Sequence, residues 1–214
     1  ANCSQNYRAV TFADINTISP SFIINPNIED EDGYTFDFGI RGKYKKYFSY
    51  DISSFYLFYN NRIGFIQKEI NGAVKNEKGN VGDARILGQE FLLNFNFDQI
   101  IKLNSKYRFN YFINFSNIYS EYISSQVNGI EGKKLEFVPN INLKTGFQLG
   151  FKSITTNIQY TFMSSQYTDA TNSSDGDLTG VIGEIPEYSI LDLSIKYLFN
   201  NDIKFEFGIN NLLD

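Results

Sequence analysis

Tyr107-Arg108-Phe109-Asn110-Tyr111-Phe112-Ile113-Asn114-Phe115-Ser116 is the stretch on which the fold turns. Its odd positions are aromatic or aliphatic, and Arg108, Asn110, Asn114 and Ser116 fill most of the even ones. Successive side chains of a strand point to opposite faces, so this segment carries one oily face and one wet face. The pattern recurs along the chain. Tyr34, Phe36, Phe38 and Ile40 alternate with Thr35, Asp37, Gly39 and Arg41, and Phe91, Leu93 and Phe95 alternate with Glu90, Asn94 and Asn96. Ile141, Leu143, Phe147, Leu149 and Phe151 face away from Asn142, Lys144, Gly146 and Gln148, and the same parity returns in Leu191 to Phe199 and in Ile203, Phe205, Phe207 and Ile209. This period of two predicts about eight strands between residues 33 and 210.

The connections sort by length. Short turns at 43–46, 98–106, 152–153 and 200–202 alternate with long polar segments at 71–83, 124–134 and 164–187. Short turns at one end and long loops at the other are the plan of an antiparallel transmembrane β-barrel. Residues 47–68 exceed the roughly ten that a tilted strand needs to cross the hydrocarbon, so the part through Asn60, Asn61 and Arg62 is expected to project beyond it. Residues 1–32 read as loop or frayed strand, with prolines and asparagines over 18–27 and the acid run Glu29, Asp30, Glu31, Asp32. Two rivals share the alternation: a small complete eight-stranded barrel serving as anchor or adhesin, and a soluble β-sandwich binding module that buries aromatic stripes between two sheets.

Composition narrows the function. The 214 residues are 42% hydrophobic and 17% aromatic, with 21 Phe, 15 Tyr and no Trp. A mean hydropathy of −0.28 suits a barrel, in which only alternate residues meet lipid. No apolar run approaches the roughly 20 residues of a spanning helix. A net charge of −5 without a basic stripe argues against nucleic acid. The chain has no histidine, which removes Ser-His-Asp and Cys-His chemistry, so no enzyme and no catalytic residue is expected. Cys3 is the one cysteine and cannot form an internal disulfide. The polar start at 1–6 carries no secretory signal, and the expectation is a piece of something longer.

Several motifs resemble the late barrel strands of TonB-dependent outer-membrane receptors, above all the iron-dicitrate type of the Bacteroidetes-like branch. The most specific is Phe207-Gly208-Ile209-Asn210-Asn211-Leu212-Leu213-Asp214, similar to the family's Gly-Val-Asn-Asn-Leu-Phe-Asp. Ile185-Pro186-Glu187-Tyr188 with Asp192, Gly88-Gln89-Glu90, Asn25-Pro26-Asn27-Ile28 with Glu31, and Tyr7-Arg8-Ala9-Val10 with Phe12 follow in the family's order. The resemblance implies that 1–214 is part of a barrel of about 22 strands, without its plug domain and final strand. It further implies transport of a ferric chelate, iron-dicitrate or siderophore-like, across the outer membrane. The partners implied are outer-membrane lipid, the rest of the barrel and plug, and a TonB-type energy-transducing complex reached through the N-terminal part.

Candidate site residues follow from chemistry and place. Arg8, Arg62 and Arg85 lie near outer strand ends and offer planar forks to carboxylates of a chelate, with pairing to neighbouring acids as the alternative. Gln166 and Tyr167 stand at the lip of the third long loop. Glu90, Asn94, Asn110, Asn142, Lys144 and Gln148 form a polar wall that would face the lumen and plug. Tyr47, Tyr119, Tyr122, Tyr160 and Tyr197 are expected in interfacial girdles. Asp169, Asn172, Asp175 and Asp177 around Gly176 could offer oxygens to calcium, but their spacing does not fit a calcium loop, and Ser, Asn, Asp and Gly are the ordinary residues of turns, which is the preferred reading. The loops that would choose the ligand give no further reading.

Overall fold

Every oily-and-wet segment forms a strand in the computed structural model, which describes residues 1–16, 22–176, 183–200 and 203–213. The strands are β1 (Asn2–Arg8), β2 (Phe22–Ile24), β3 (Glu31–Tyr44), β4 (Phe48–Ile70), β5 (Ala73–Asn96), β6 (Tyr107–Ser124), β7 (Ile141–Phe151), β8 (Ile154–Met163), β9 (Gln166–Tyr167), β10 (Glu184–Ile185), β11 (Tyr188–Phe199) and β12 (Ile203–Ile209). Two single-turn helices, α1 (Phe12–Ile15) and α2 (Phe97–Ile100), interrupt them. One antiparallel meander runs β1-β3-β4-β5-β6-β7-β8-β11-β12, and β2 adds to it in parallel alongside β5. The sheet does not close on itself, for β1 and β12 are its two edges.

The ladders put like with like. On one face Phe95, Tyr111, Phe147, Ile158, Leu193 and Ile209 are successive cross-strand partners, and beside them run Phe91, Phe115, Leu143 and Phe162. Rings in neighbouring strands meet at 4.6 Å for Tyr111 and Phe147 and at 4.8 Å for Phe48 and Phe95. Only the two-residue β9–β10 ladder forms a second sheet among the described residues, so no second layer covers this face. Phe147 stays 41% exposed and Phe207 60%. A sandwich would have buried these rings, and the described strands do not make one.

Two expectations are corrected. Residues 2–8 are a full ladder strand, paired with β3 from Asn2 opposite Asp37 to Arg8 opposite Glu31, rather than loop or frayed strand. Residues 71–83 are not a loop: Asn71 and Gly72, both at positive φ, make a two-residue turn, and β5 runs from Ala73 onward. The resulting β4–β5 hairpin, 23 and 24 residues long, continues far past the aromatic face. At about 3.3 Å per residue each strand reaches roughly 75 Å, over twice a bilayer's hydrocarbon. Its free edges are covered, since β2 pairs with Asn76 to Lys78 of β5 and Ala170 donates its N–H to the Phe65 carbonyl of β4 at 2.8 Å. Pro20 of the expected 18–27 loop, Asp177, residues 201–202 and Asp214 lie outside the described residues.

Candidate ligand wall and loop mouth

Residues directly opposite each other in a ladder share a face, so the register locates the polar wall. Glu90 faces Ser53 and Ser116, and Ser116 faces Asn142; Lys144 faces Asn114 and Thr161. Asn94 faces Ser49 and Phe112, and Asn110 faces Asn96 and Gln148. All six residues expected on the inner wall therefore lie on one face, opposite the aromatic rows. Three hydrogen bonds join four strands across this wall. Asn110 Nδ2 donates to Gln148 Oε1 at 3.2 Å, Gln148 Nε2 to Asn157 Oδ1 at 3.1 Å, and Asn157 Nδ2 to Ser194 Oγ at 3.1 Å.

The wall extends beyond the six residues named for it, over wet-face positions of β3, β4, β8 and β11. Arg41 and Asp51 pair across it at 2.9 Å, and Asp37, Gln159 and Asp192 share the face. It also carries two aromatic rings, Phe55 and Phe112, each lying over a glycine of the next strand. A Cβ on Gly88 would overlap the Phe55 ring, and one on Gly146 would come within 2.9 Å of Phe112. The even-position Phe112 breaks the alternation because Gly146 leaves room for it.

The long connections meet at the other end of the sheet and hold most of the buried side chains. Val81, Ala84, Tyr122, Ile130, Leu135 and Ala170 form one apolar cluster, with Tyr59, Ile66, Ile86, Val127 and Val138 packed around it. Tyr122 is wholly buried here, so it is not a girdle residue. Its hydroxyl donates to Glu136 Oε2 at 2.8 Å, and the Phe65 N–H donates to Glu136 Oε1 at 2.7 Å. Burial pushes the Glu136 carboxyl up, against the N–H of Phe65 and the Tyr122 hydroxyl, which favour its charged form.

The expected ligand arginines sit at this end, each beside acids. Arg8 Nη2 lies 2.7 Å from Asp14, and its Nη1 lies 3.6 Å from Glu31. Arg62 lies 3.9 Å from Glu31, whose other oxygen accepts the Ile63 N–H at 2.8 Å. Arg85 pairs with Glu121. Arg62 Nε is buried and has no hydrogen-bond partner. Burial would raise the Asp14 carboxyl, but Lys78, Thr11 and Arg8 together hold it well below the usual carboxylate range. Nothing local in sequence flags Glu31 or Glu121, since Arg8 and Glu31, and Arg85 and Glu121, meet through strand pairing.

Gln166 and Tyr167 form β9 against Ile185 and Glu184 of β10. The Tyr167 carbonyl accepts the Phe137 N–H at 2.8 Å, and Lys134 Nζ stands 5.9 Å from its ring centre. Asp169 and Asn172 are spent internally: Asp169 accepts from Thr171 and Gln67, and Asn172 Oδ1 accepts the Lys134 N–H at 2.7 Å. No group of three or more carboxylate or thiol side chains placed to hold a metal occurs among the described residues.

Two sequence motifs come into contact near β12. Asn211, at φ 55°, donates its N–H to Asp192 Oδ1 at 3.1 Å, and Leu212 N–H reaches the Leu191 carbonyl at 2.7 Å. The aspartate of β11 thus caps the turn that the paired asparagines make.

Residues 1–212 match the family described as TonB dependent receptor-like, beta-barrel. No curated protein matches the sequence. Among solved structures the chain is similar to the ferric citrate transporter FecA, with TM-score 0.71, 20% identity, and 88% of this chain and 27% of that one covered. It is similar to the copper transporter OprC at TM-score 0.71 and 15% identity, covering 99% of this chain and 30% of that one. The ferric yersiniabactin uptake receptor FyuA from Yersinia pestis matches at TM-score 0.68 and 16% identity, with 99% and 29% covered. At these identities the likeness is one of fold, and the chain spans less than a third of the length of each.

Proposed function

Because the chain belongs to the TonB-dependent receptor-like β-barrel family, we propose that it forms part of the wall of an outer-membrane receptor that imports a ferric chelate, iron-dicitrate or siderophore-like. The observation that carries this reading is the single-layer sheet with aromatic rings bare on one face and amides on the other. Uncovered rings on that scale suit acyl chains, and a face of Asn, Gln, Ser and Thr suits a wet lumen. In this reading the six wall residues face the plug, the loop end opens outward, and energy reaches the receptor through a TonB-type complex engaged by other parts of the protein. The barrel performs no reaction.

Ligand contact is assigned to the loop end. Arg8, whose side chain is 41% exposed, and Arg62, whose side chain is 23% exposed and stands 3.9 Å from Glu31, are the arginines assigned to share a chelate with their acids. Arg85, Gln166 and Tyr167 complete the proposed contacts.

The test is growth under iron limitation with ferric citrate, or in turn a panel of ferric siderophores, as the only iron source, with the full gene present or deleted. Loss of growth on one chelate upon deletion supports the reading. Equal growth on all of them overturns the substrate assignment, and recovery of the protein from the soluble fraction without detergent overturns the membrane assignment.

A further inference from the structure

Three stretches at the same end of the sheet fold together. The first is the distal β4–β5 hairpin, residues 60–83. The second is the β6–β7 connection, residues 125–140. The third is residues 164–176, after β8. Each contributes to one apolar cluster: Val81 from the hairpin, Ile130 and Leu135 from the second stretch, Ala170 from the third, all at or below 2% exposure. Hydrogen bonds tie them pairwise. Ala170 N–H reaches the Phe65 carbonyl and Phe137 N–H the Tyr167 carbonyl, both at 2.8 Å. Asn172 clasps the backbone of Lys134, accepting its N–H at 2.7 Å and donating to its carbonyl at 2.9 Å. Gln67 Nε2 donates to Asp169 at 3.3 Å.

Glu136 is the keystone of this assembly. Although it belongs to the second stretch, its carboxylate satisfies the Phe65 N–H of the hairpin and the Tyr122 hydroxyl of β6. The close approach needs Gly64, since a Cβ there would overlap Glu136 Oε1. If the stretch that carries Glu136 moves away, the Phe65 N–H and the Tyr122 hydroxyl both lose their acceptor, and if the hairpin moves, the buried Glu136 Oε1 loses its donor.

Within the receptor reading above, we infer that these three stretches form one folded block that walls one side of the mouth. They do not act as independent lids. The block opens as a unit, and its opening leaves the membrane-facing part of the sheet intact.

Hydrogen exchange on the full-length receptor in outer-membrane vesicles, without ligand, tests this. The amides of Phe65, Tyr122, Lys134, Phe137 and Ala170 should exchange slowly and with similar protection. Glu136→Ala should lower protection at Lys134, Phe137 and Ala170 together by at least about tenfold, with Tyr111 and Phe147 unchanged. Tyr122→Phe, which removes only a hydroxyl, should produce the same joint loss in smaller measure and serves where Glu136→Ala fails to fold. Fast exchange in any one of the three stretches of the unaltered receptor overturns the inference. So does a loss confined to the neighbours of the substituted residue.

Discussion

Replacing Phe147 with arginine places a charge midway along β7 on the aromatic face, and the effect can be worked from its surroundings. The ring stacks on Tyr111 at 4.6 Å and leans on Phe109 at 6.0 Å. An arginine on the lipid face near mid-membrane costs roughly 2–4 kcal/mol, and each lost ring pair roughly 0.5–1.5 kcal/mol. The sum is about 3–7 kcal/mol. Gln159→Arg is the matched control. Gln159 lies on the adjacent strand and on the other face, opposite Gly146 and Asp192, where a new arginine meets water and an acid. Its effect should stay within about 1 kcal/mol. Urea titration of the full-length receptor in lipid vesicles reads both, as a shift of midpoint at constant slope. The reasoning is refuted if the two variants lose stability equally, or if Gln159→Arg is the more damaging.

Gly146→Val should lower stability by about 1–3 kcal/mol in the same titration, because the new side chain must displace the Ile158 carbonyl or the Phe112 ring. Gly72→Val, at φ 78° in the hairpin tip, should cost about 1–3 kcal/mol of local stability, read by exchange of the Ala73 and Lys75 amides, and leave the belt unchanged. Asp192→Ala should speed exchange at the Asn211 amide by roughly tenfold or more, as befits a lost hydrogen bond to a carboxylate. The last prediction concerns pH. Glu136's carboxyl is raised on folding, so its contribution is fully present below the ordinary carboxylate range and is lost as pH rises through the folded value. Protection of Phe137 and Ala170, corrected for intrinsic exchange, should fall with rising pH and lose that dependence in Glu136→Gln. Asp14, lowered on folding, acts with the opposite sign: its contribution is present above its ordinary value and is lost as pH falls through the lowered folded value.

The aromatic half was legible because apolar and aqueous surroundings impose opposite demands on alternate residues, so Phe109, Tyr111, Phe147 and Phe205 declare their face. Beyond the belt that contrast disappears. Residues 73–83, rich in Gly, Asn and Lys, carry no oily stripe, and only the Asn71-Gly72 pair signalled the turn that makes them a strand. β1 was obscured in the same way, its polar Asn2 to Arg8 held in place by β3. The arginines were identifiable as site candidates, but Glu31 and Glu121 were not, because they approach through strand pairings that no local pattern encodes, whereas Asp14 is near in sequence and held by its own capping box with Thr11. Glu136 was missed for the same reason, since its partners Phe65 and Tyr122 lie on other elements.

The oily-and-wet alternation has a blind spot that the chain of amides removes. A strand displaced by one residue turns every ring inward and is strongly disfavoured, yet a displacement by two restores the same parity and offends nothing in the pattern. If β7 slid two places along β6, Gln148 would sit opposite Phe112 or Arg108, and the donor-to-acceptor sequence from Asn110 through Asn157 to Ser194 would break. These side chains therefore act like the teeth of a ratchet. They index neighbouring strands to a single notch where greasiness alone would accept several.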